Sequence, residues 1–318
     1  MTRSAKTIAI TGGTGFIGRY LVLRHLAMGD RVRVLSRRSH AESGLPDSVI
    51  LWSGDLSTQY NLQSFVDGVD VLYHCAGEIT NPTRMHDLHV VGTQRLITAA
   101  SGAIGHWVQL SSTGAYGKVT KGVVTEETPL NPHNVYEITK TKSDKLVTAA
   151  ADRGLFNSTI LRPSNVFGPT MPNQSLFQMI TMISKGLYFF IGSPGASANY
   201  IYVDNVVDGL VRCATMSEAK GMTYILSDHR SLEDFVANIA HALGRPVPRW
   251  RLPEKPVRLV AGTFGKIPGF PLPVSRVDAL TGCAIYSTNR IQQQLNYTHP
   301  VRMEDGLRQL VHAWRKRM

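Results

Sequence analysis

Residues Thr7-Ile8-Ala9-Ile10-Thr11 form a short apolar, β-branched run, and Gly12-Gly13-Thr14-Gly15-Phe16-Ile17-Gly18 follows without a break. An apolar pattern of helical spacing then passes through Tyr20, Leu21, Leu23 and Leu26 to a terminating Gly29. Strand, glycine turn and helix in that order open a parallel βαβ unit, and few other folds accept them. Gly12 permits the tight turn, Gly15 lets the backbone approach a pyrophosphate, and Gly18 lets the helix pack close to the sheet. Free N–H groups and a positive dipole end then face the phosphates. Gly12, Thr14, Gly15, Phe16 and Ile17 are therefore assigned to a dinucleotide, the alternative being a merely structural turn.

The next strand, Arg31 to Leu35, ends in Ser36-Arg37-Arg38. An acidic residue here would hold the 2′-hydroxyl of NAD(H), whereas arginine accommodates a 2′-phosphate through forked hydrogen bonds. NADP(H) is thus preferred and NAD(H) possible, with two solvated loop arginines as the plain alternative. A run from Val49 leads to Gly54-Asp55-Leu56, another spans Val69 to Tyr73, a helix is expected from about Asp87 to Ser101, and a strand spans Trp107 to Leu110. Alternating short strands and helices predict an α/β fold, a Rossmann-like, doubly wound parallel sheet. Asp55, just past a strand, is placed to reach the adenine edge. His74, His86 and His89 lack metal-ligand spacing, so no metal is expected.

The Tyr136-Glu137-Ile138-Thr139-Lys140 stretch puts a phenol and an ammonium on one helix face. The phenol can serve as proton donor, and the ammonium is expected to lower its pKa. Ser111 and Ser112 follow a strand, where open α/β sheets bind ligands. A surface helix and an ordinary polar turn are the bland readings.

Three widely spaced cysteines, Cys75, Cys213 and Cys283, fit reduced thiols better than disulfides. The first strand begins within about six residues, so no signal peptide is expected, and no apolar run reaches a span of ~18 residues. Leu176 to Gly192 is broken by Gln178, Lys185 and Gly186. A cytoplasmic protein follows as the expectation. The net charge of +11 raises nucleic acid as a partner, but lysine and arginine are scattered without interleaved aromatics. Attraction of a phosphate-bearing cofactor or acidic substrate explains the sign more simply, and nucleic acid is not expected.

Further motifs complete the pattern: His74-Cys75-Ala76-Gly77, Gly92-Thr93, Ser111-Ser112 with Tyr116-Gly117, Arg162-Pro163-Ser164-Asn165-Val166-Phe167-Gly168-Pro169, Tyr202-Val203-Asp204, and an ending from Leu295 to Trp314. With the glycine turn and Tyr136/Lys140, the chain resembles an extended short-chain dehydrogenase/reductase, in the epimerase/dehydratase/3β-hydroxysteroid dehydrogenase group. The resemblance implies catalysis by Ser112, Tyr136 and Lys140. It places Leu56, Cys75, Ala76, Gly77 and Pro163 on the cofactor beside Tyr136 and Lys140, and Glu78, Thr113 and Asn165 on the substrate. It also implies a homodimer paired through the helices before Ser112 and around Tyr136.

Departures from that group narrow the substrate. His89 stands where the group carries asparagine, and Thr113-Gly114 replace the Asp-Glu that sugar-nucleotide dehydratases need. Ala198 falls where many sugar-nucleotide enzymes have a diphosphate-clamping arginine, although Arg276 could substitute. The segments Arg249–Pro253 and Gly262–Pro273 are more like the hydroxysteroid-dehydrogenase side. Residues 1–168 plus 198–227 are expected to form the cofactor domain, and 169–197 plus 228–318 a smaller substrate-binding lid. The first expectation is an NADP(H)-dependent enzyme interconverting a ketone and a secondary alcohol, including a nucleotide-sugar 4-ketoreductase. The alternatives are a nucleotide-sugar epimerase and a non-catalytic dinucleotide-binding sensor or scaffold.

Overall fold

The computed structural model describes residues 4–58, 62–264 and 272–318; most of the Gly262–Pro273 segment therefore lies outside them. Seven strands make one parallel sheet: β1 (Thr7–Thr11), β2 (Arg31–Ser36), β3 (Ile50–Ser53), β4 (Val69–His74), β5 (Ile104–Leu110), β6 (Asn157–Pro163) and β7 (Thr223–Leu226). Their spatial order is β7-β6-β5-β4-β1-β2-β3. Most strand positions are buried, on both faces, because helices cover the two sides of the sheet.

Along β1, Ile8 and Ile10 point to one face, with α1 (Phe16–Ala27) and the helix Val203–Thr215, while Ala9 points to the other. That second face packs Leu72 and Trp107 against α2 (Gly92–Ala100) and α3 (Val135–Asp152) through Leu96, Ile97, Val147 and Ala150. Truncating any of the larger buried aliphatic residues to alanine would cost about 2–5 kcal/mol.

The strand order reverses between β1 and β4, which leaves a crevice at their carboxyl ends. The helical segment expected from Asp87 begins earlier, at Pro82. Asn81 caps it by accepting a hydrogen bond from the Thr83 N–H, 3.1 Å. The segment then passes through a π turn, Asp87–Val91, before α2. Such insertions are frequent at functional sites.

A second region centres on three short strands, Asn165–Phe167, Ser197–Tyr202 and Asp228–Ser231. Helices Ser175–Ser184, Leu232–Leu243 and Met303–Arg315 pack there around Phe167, Phe177, Ile180, Phe235 and Leu307. Strand Lys121–Val124, beyond the Ser112 turn, pairs in parallel with Cys283–Tyr286. By contrast Ile291, Leu295 and Tyr297 join the core under the large sheet.

Candidate active site

At the carboxyl ends of β1 and β4 opens a cleft of about 310 Å³. Thr11, Gly12, Thr14 and Gly15 form one side, with Ser36, Arg37 and Arg38 from the end of β2, Asp55 and Leu56 after β3, and Ala76 and Gly77 after β4. Gly12 adopts φ +71°, and a β-carbon on it would lie 2.7 Å from the Ala76 nitrogen. A β-carbon on Gly18 would strike the Gly12 carbonyl oxygen, so this glycine seats α1 on the turn itself. Gly15 is the N-cap of α1, and no side chain caps that helix end. Its N–H groups therefore remain available to an anion.

Within the wall, the Arg38 N–H donates to Ser36 Oγ at 2.9 Å, and Arg37 Nη1 lies 3.6 Å from Asp55 Oδ2. Burial pushes the Asp55 carboxyl up, but bonds from Ser57 and the charges of Arg37 and Arg84 bring it below the usual range. Arg84, Asp87 and Leu88 also line the cleft. Sequence reasoning missed them because it began the helix too late, although Asn81-Pro82 is a helix-start signal. Glu78 lines the cleft too. Its Oε1 accepts from Thr80 Oγ1 and the N–H groups of Ile79, Thr80 and Asn81, which hold the carboxyl at about 2.

Six cofactor candidates are not among the residues lining this cleft: Tyr136 and Lys140, described below, and Phe16, Ile17, Cys75 and Pro163. Phe16 packs on the apolar cluster of the second region, and Ile17 bridges both cores. The Cys75 N–H donates to the Thr11 carbonyl at 3.1 Å, and burial pushes the thiol up to about 12. Pro163 closes β6. Among substrate candidates, Thr113 is buried in the 3-10 turn Thr113–Tyr116, and Asn165 is exposed at the start of its strand.

Ser112 ends the extension of β5 and caps that 3-10 turn, its Oγ accepting from the Gly114 N–H at 3.0 Å. The Ser112 side chain lies near the Tyr136 phenol and acts to lower its pKa. One turn along α3, Lys140 is buried and donates from Nζ to the Leu110 carbonyl at 2.7 Å. The expected depression of the phenol by the ammonium is not what sets it. Burial raises the Tyr136 pKa, Ser112 opposes the rise, and Asp144 and Glu137 add to it. Burial likewise lowers Lys140, opposed by Asp144 and then Cys75.

His89 lies edge-on to Tyr136, ring centroids 5.8 Å apart. Its Nε2 accepts the Glu78 N–H at 2.8 Å, and Nδ1 lies 2.8 Å from Thr139 Oγ1. Since the Thr139 hydroxyl donates to the Val135 carbonyl, the imidazole proton sits on Nδ1. Burial, aided by Lys140, brings this histidine down to about 3. A neutral ring therefore takes both roles an amide would have filled, one as acceptor and one as donor.

A glycine cradle at a topological switch point, with an uncapped helix end above it, fits a dinucleotide. A model of the NAD dependent epimerase/dehydratase family matches residues 8–226. The chain belongs to that family. Among its relatives is a UDP-glucose 4-epimerase of Vibrio cholerae, 26% identical and aligned over 97% of this chain and 95% of that protein. A second is a human sterol-4-alpha-carboxylate 3-dehydrogenase, decarboxylating, 24% identical over 98% and 89% of the two chains. Among solved structures, a UDP-glucuronic acid 4-epimerase from Bacillus cereus in complex with NAD superimposes with TM-score 0.75 at 18% identity, covering 98% and 99%.

This epimerase/dehydratase-family protein is an NAD(P)-dependent enzyme of the extended short-chain dehydrogenase/reductase type. Among its described residues no helix is long and apolar enough to cross a membrane, and no cluster of side chains could hold a metal ion. Ala198 is buried in the apolar cluster of the second region.

Proposed function

We propose that the enzyme interconverts a ketone and a secondary alcohol with NADP(H) as preferred cofactor. The observation that carries this reading is the convergence of three side chains: the Ser112 hydroxyl near the Tyr136 phenol, with Lys140 one turn behind and bonded to the end of the strand that leads to Ser112. Two hydroxyls converge where a carbonyl oxygen gains negative charge on reduction. Ser112 orients that oxygen, and Tyr136 delivers its proton to it, or removes one in the oxidative direction. Lys140 holds the nicotinamide ribose, and the bound dinucleotide would supply or accept the hydride.

Gly12, Thr14, Gly15, Ala76 and Gly77 cradle the dinucleotide, and Asp55 and Leu56 flank its adenine. Ser36, Arg37 and Arg38 face the adenine ribose, which supports the preference for a 2′-phosphate. The second region serves as the substrate side, and a homodimer forms through α2 and α3, which pack side by side on one face of the sheet. Static light scattering at micromolar concentration should give twice the monomer mass.

A second reading, a nucleotide-sugar epimerase that keeps its dinucleotide bound, is favoured by the near full-length likeness to the Vibrio cholerae enzyme. Burial of Ala198 weighs against it, since no cation stands at that position to meet a diphosphate. Absorbance at the nicotinamide band separates the two. Steady loss of the reduced band with a ketone such as a sterol 3-ketone or a 4-keto sugar nucleotide supports the reductase. Conversion of a UDP-sugar with a constant band would replace it by the epimerase.

A further inference from the structure

One turn beyond Lys140 on the same face of α3, Asp144 is also buried. Its Oδ2 accepts from Ser111 Oγ at 2.7 Å and from Arg162 Nε and Nη2 at 3.3 and 3.1 Å. Arg162, on β6, donates through Nη1 to the Tyr116 hydroxyl at 3.1 Å, and its guanidinium lies 5.2 Å from the centre of that ring. Ser111 and Tyr116 bracket the turn that carries Ser112. One buried ion pair thus ties together a strand, the helix bearing Tyr136 and Lys140, and both ends of the Ser112 turn. Asp144 Oδ1 has no hydrogen-bond partner among the described residues.

Buried ion pairs are poor stabilisers, because apolar packing of the same volume usually serves stability as well or better. We propose that the Asp144–Arg162 pair is a positioning device for the ketone–alcohol reaction assigned above: it fixes Ser112 against Tyr136 and provides the counter-charge that keeps Lys140 an ammonium. The second role follows from the surroundings of Lys140. The titratable groups facing it are Asp144 on its own helix, His74 and Cys75 at the end of β4, and His89 in the π turn. Burial holds both histidines below their ordinary range and the thiol above its own, so all three are neutral. Among the described residues facing Lys140, Asp144 is the one carboxylate, and it is also the partner of Arg162.

The experiment titrates the full chain with NADPH, followed by nicotinamide fluorescence, from about pH 6 up to and past about pH 10, the ordinary lysine value. Lys140 holds the ribose as an ammonium, so affinity falls as it loses its proton. In Asp144→Asn the alkaline fall should move to lower pH by about one unit or more, while Asp144→Glu stays with the parent. Should the single variant fail to fold, Asp144→Asn combined with Arg162→Met leaves no unpaired charge, and the same downward displacement is expected. An unchanged alkaline profile in the neutralised variants, whether affinity is intact or uniformly weaker, overturns the proposal. If the parent bound neither NADPH nor NADH at any pH, the cofactor reading itself would fall, and this inference with it.

Discussion

Tyr136 and Lys140 stand four residues apart, yet the chemistry of each is set by neighbours that the spacing does not name. Ser112 comes from the end of β5 to meet the phenol, and the Leu110 carbonyl receives the ammonium. Replacing Tyr136 with Phe should lower kcat by about 10²–10⁴-fold, the range for losing a positioned acid, with dinucleotide affinity largely retained. Stopped-flow measurement of the chemical step alongside equilibrium binding checks both halves of that expectation. At the other end of the cleft, Arg37 and Arg38 answer a different question. Changing both to Ala should weaken NADPH by about 1.5–3 kcal/mol for each charge-assisted hydrogen bond removed and leave NADH nearly unaffected. Calorimetric titration with the two nucleotides would show it, and equal weakening of both would mean that neither guanidinium reads a 2′-phosphate.

The helix that carries Tyr136 and Lys140 owes its starting point to a capping box. Asn134 Oδ1 accepts the Glu137 N–H at 2.9 Å, and Glu137 Oε2 accepts the His133 and Asn134 N–H groups at 2.8 and 3.4 Å. Because Tyr136 lies in that first turn, the cap also limits how far the phenol can fray from Ser112. Asn134→Ala should cost about 1 kcal/mol in urea denaturation, and a helix anchored by tertiary packing alone would show no such change. The elements themselves were legible where local chemistry dominates. The glycine turn and the β-strands that precede and follow it stand where apolar period and punctuation put them, and Tyr136 and Lys140 share a helix as their four-residue spacing implied. The helix before α2 was legible only in part, since its Asn81-Pro82 start was hidden by a polar first turn and a π insertion that breaks the regular period.

Across the whole molecule, burial of neutral histidines couples stability to acid. His89 sits at about 3 and His106 at about 4 in the folded chain, and His74 is also well below its ordinary value, all chiefly through desolvation. The unfolded chain binds these protons near pH ~6.5 and the folded one does not. Their contribution is therefore complete above about pH 6.5 and is lost as the pH falls toward the folded values. Each such histidine adds a slope of about 1.4 kcal/mol per pH unit within that window. Denaturation midpoints between about pH 7 and about pH 5 should fall accordingly, and His106→Gln should flatten the dependence.

The same scale separates what the chain announces from what its folding decides. Sequence alone determined the Rossmann-like sheet and the glycine turn, because strand period and glycine placement are local properties, and the family resemblance supplied Ser112, Tyr136 and Lys140 as the proposed catalytic trio. Tertiary structure decided that Ser112 meets Tyr136, that Arg84 joins the cleft, and that Asp144, Ser111, Arg162 and Tyr116 form one buried cluster. Those contacts depend on strand order and on which side chains lose water together, and neither is encoded at any fixed distance along the chain.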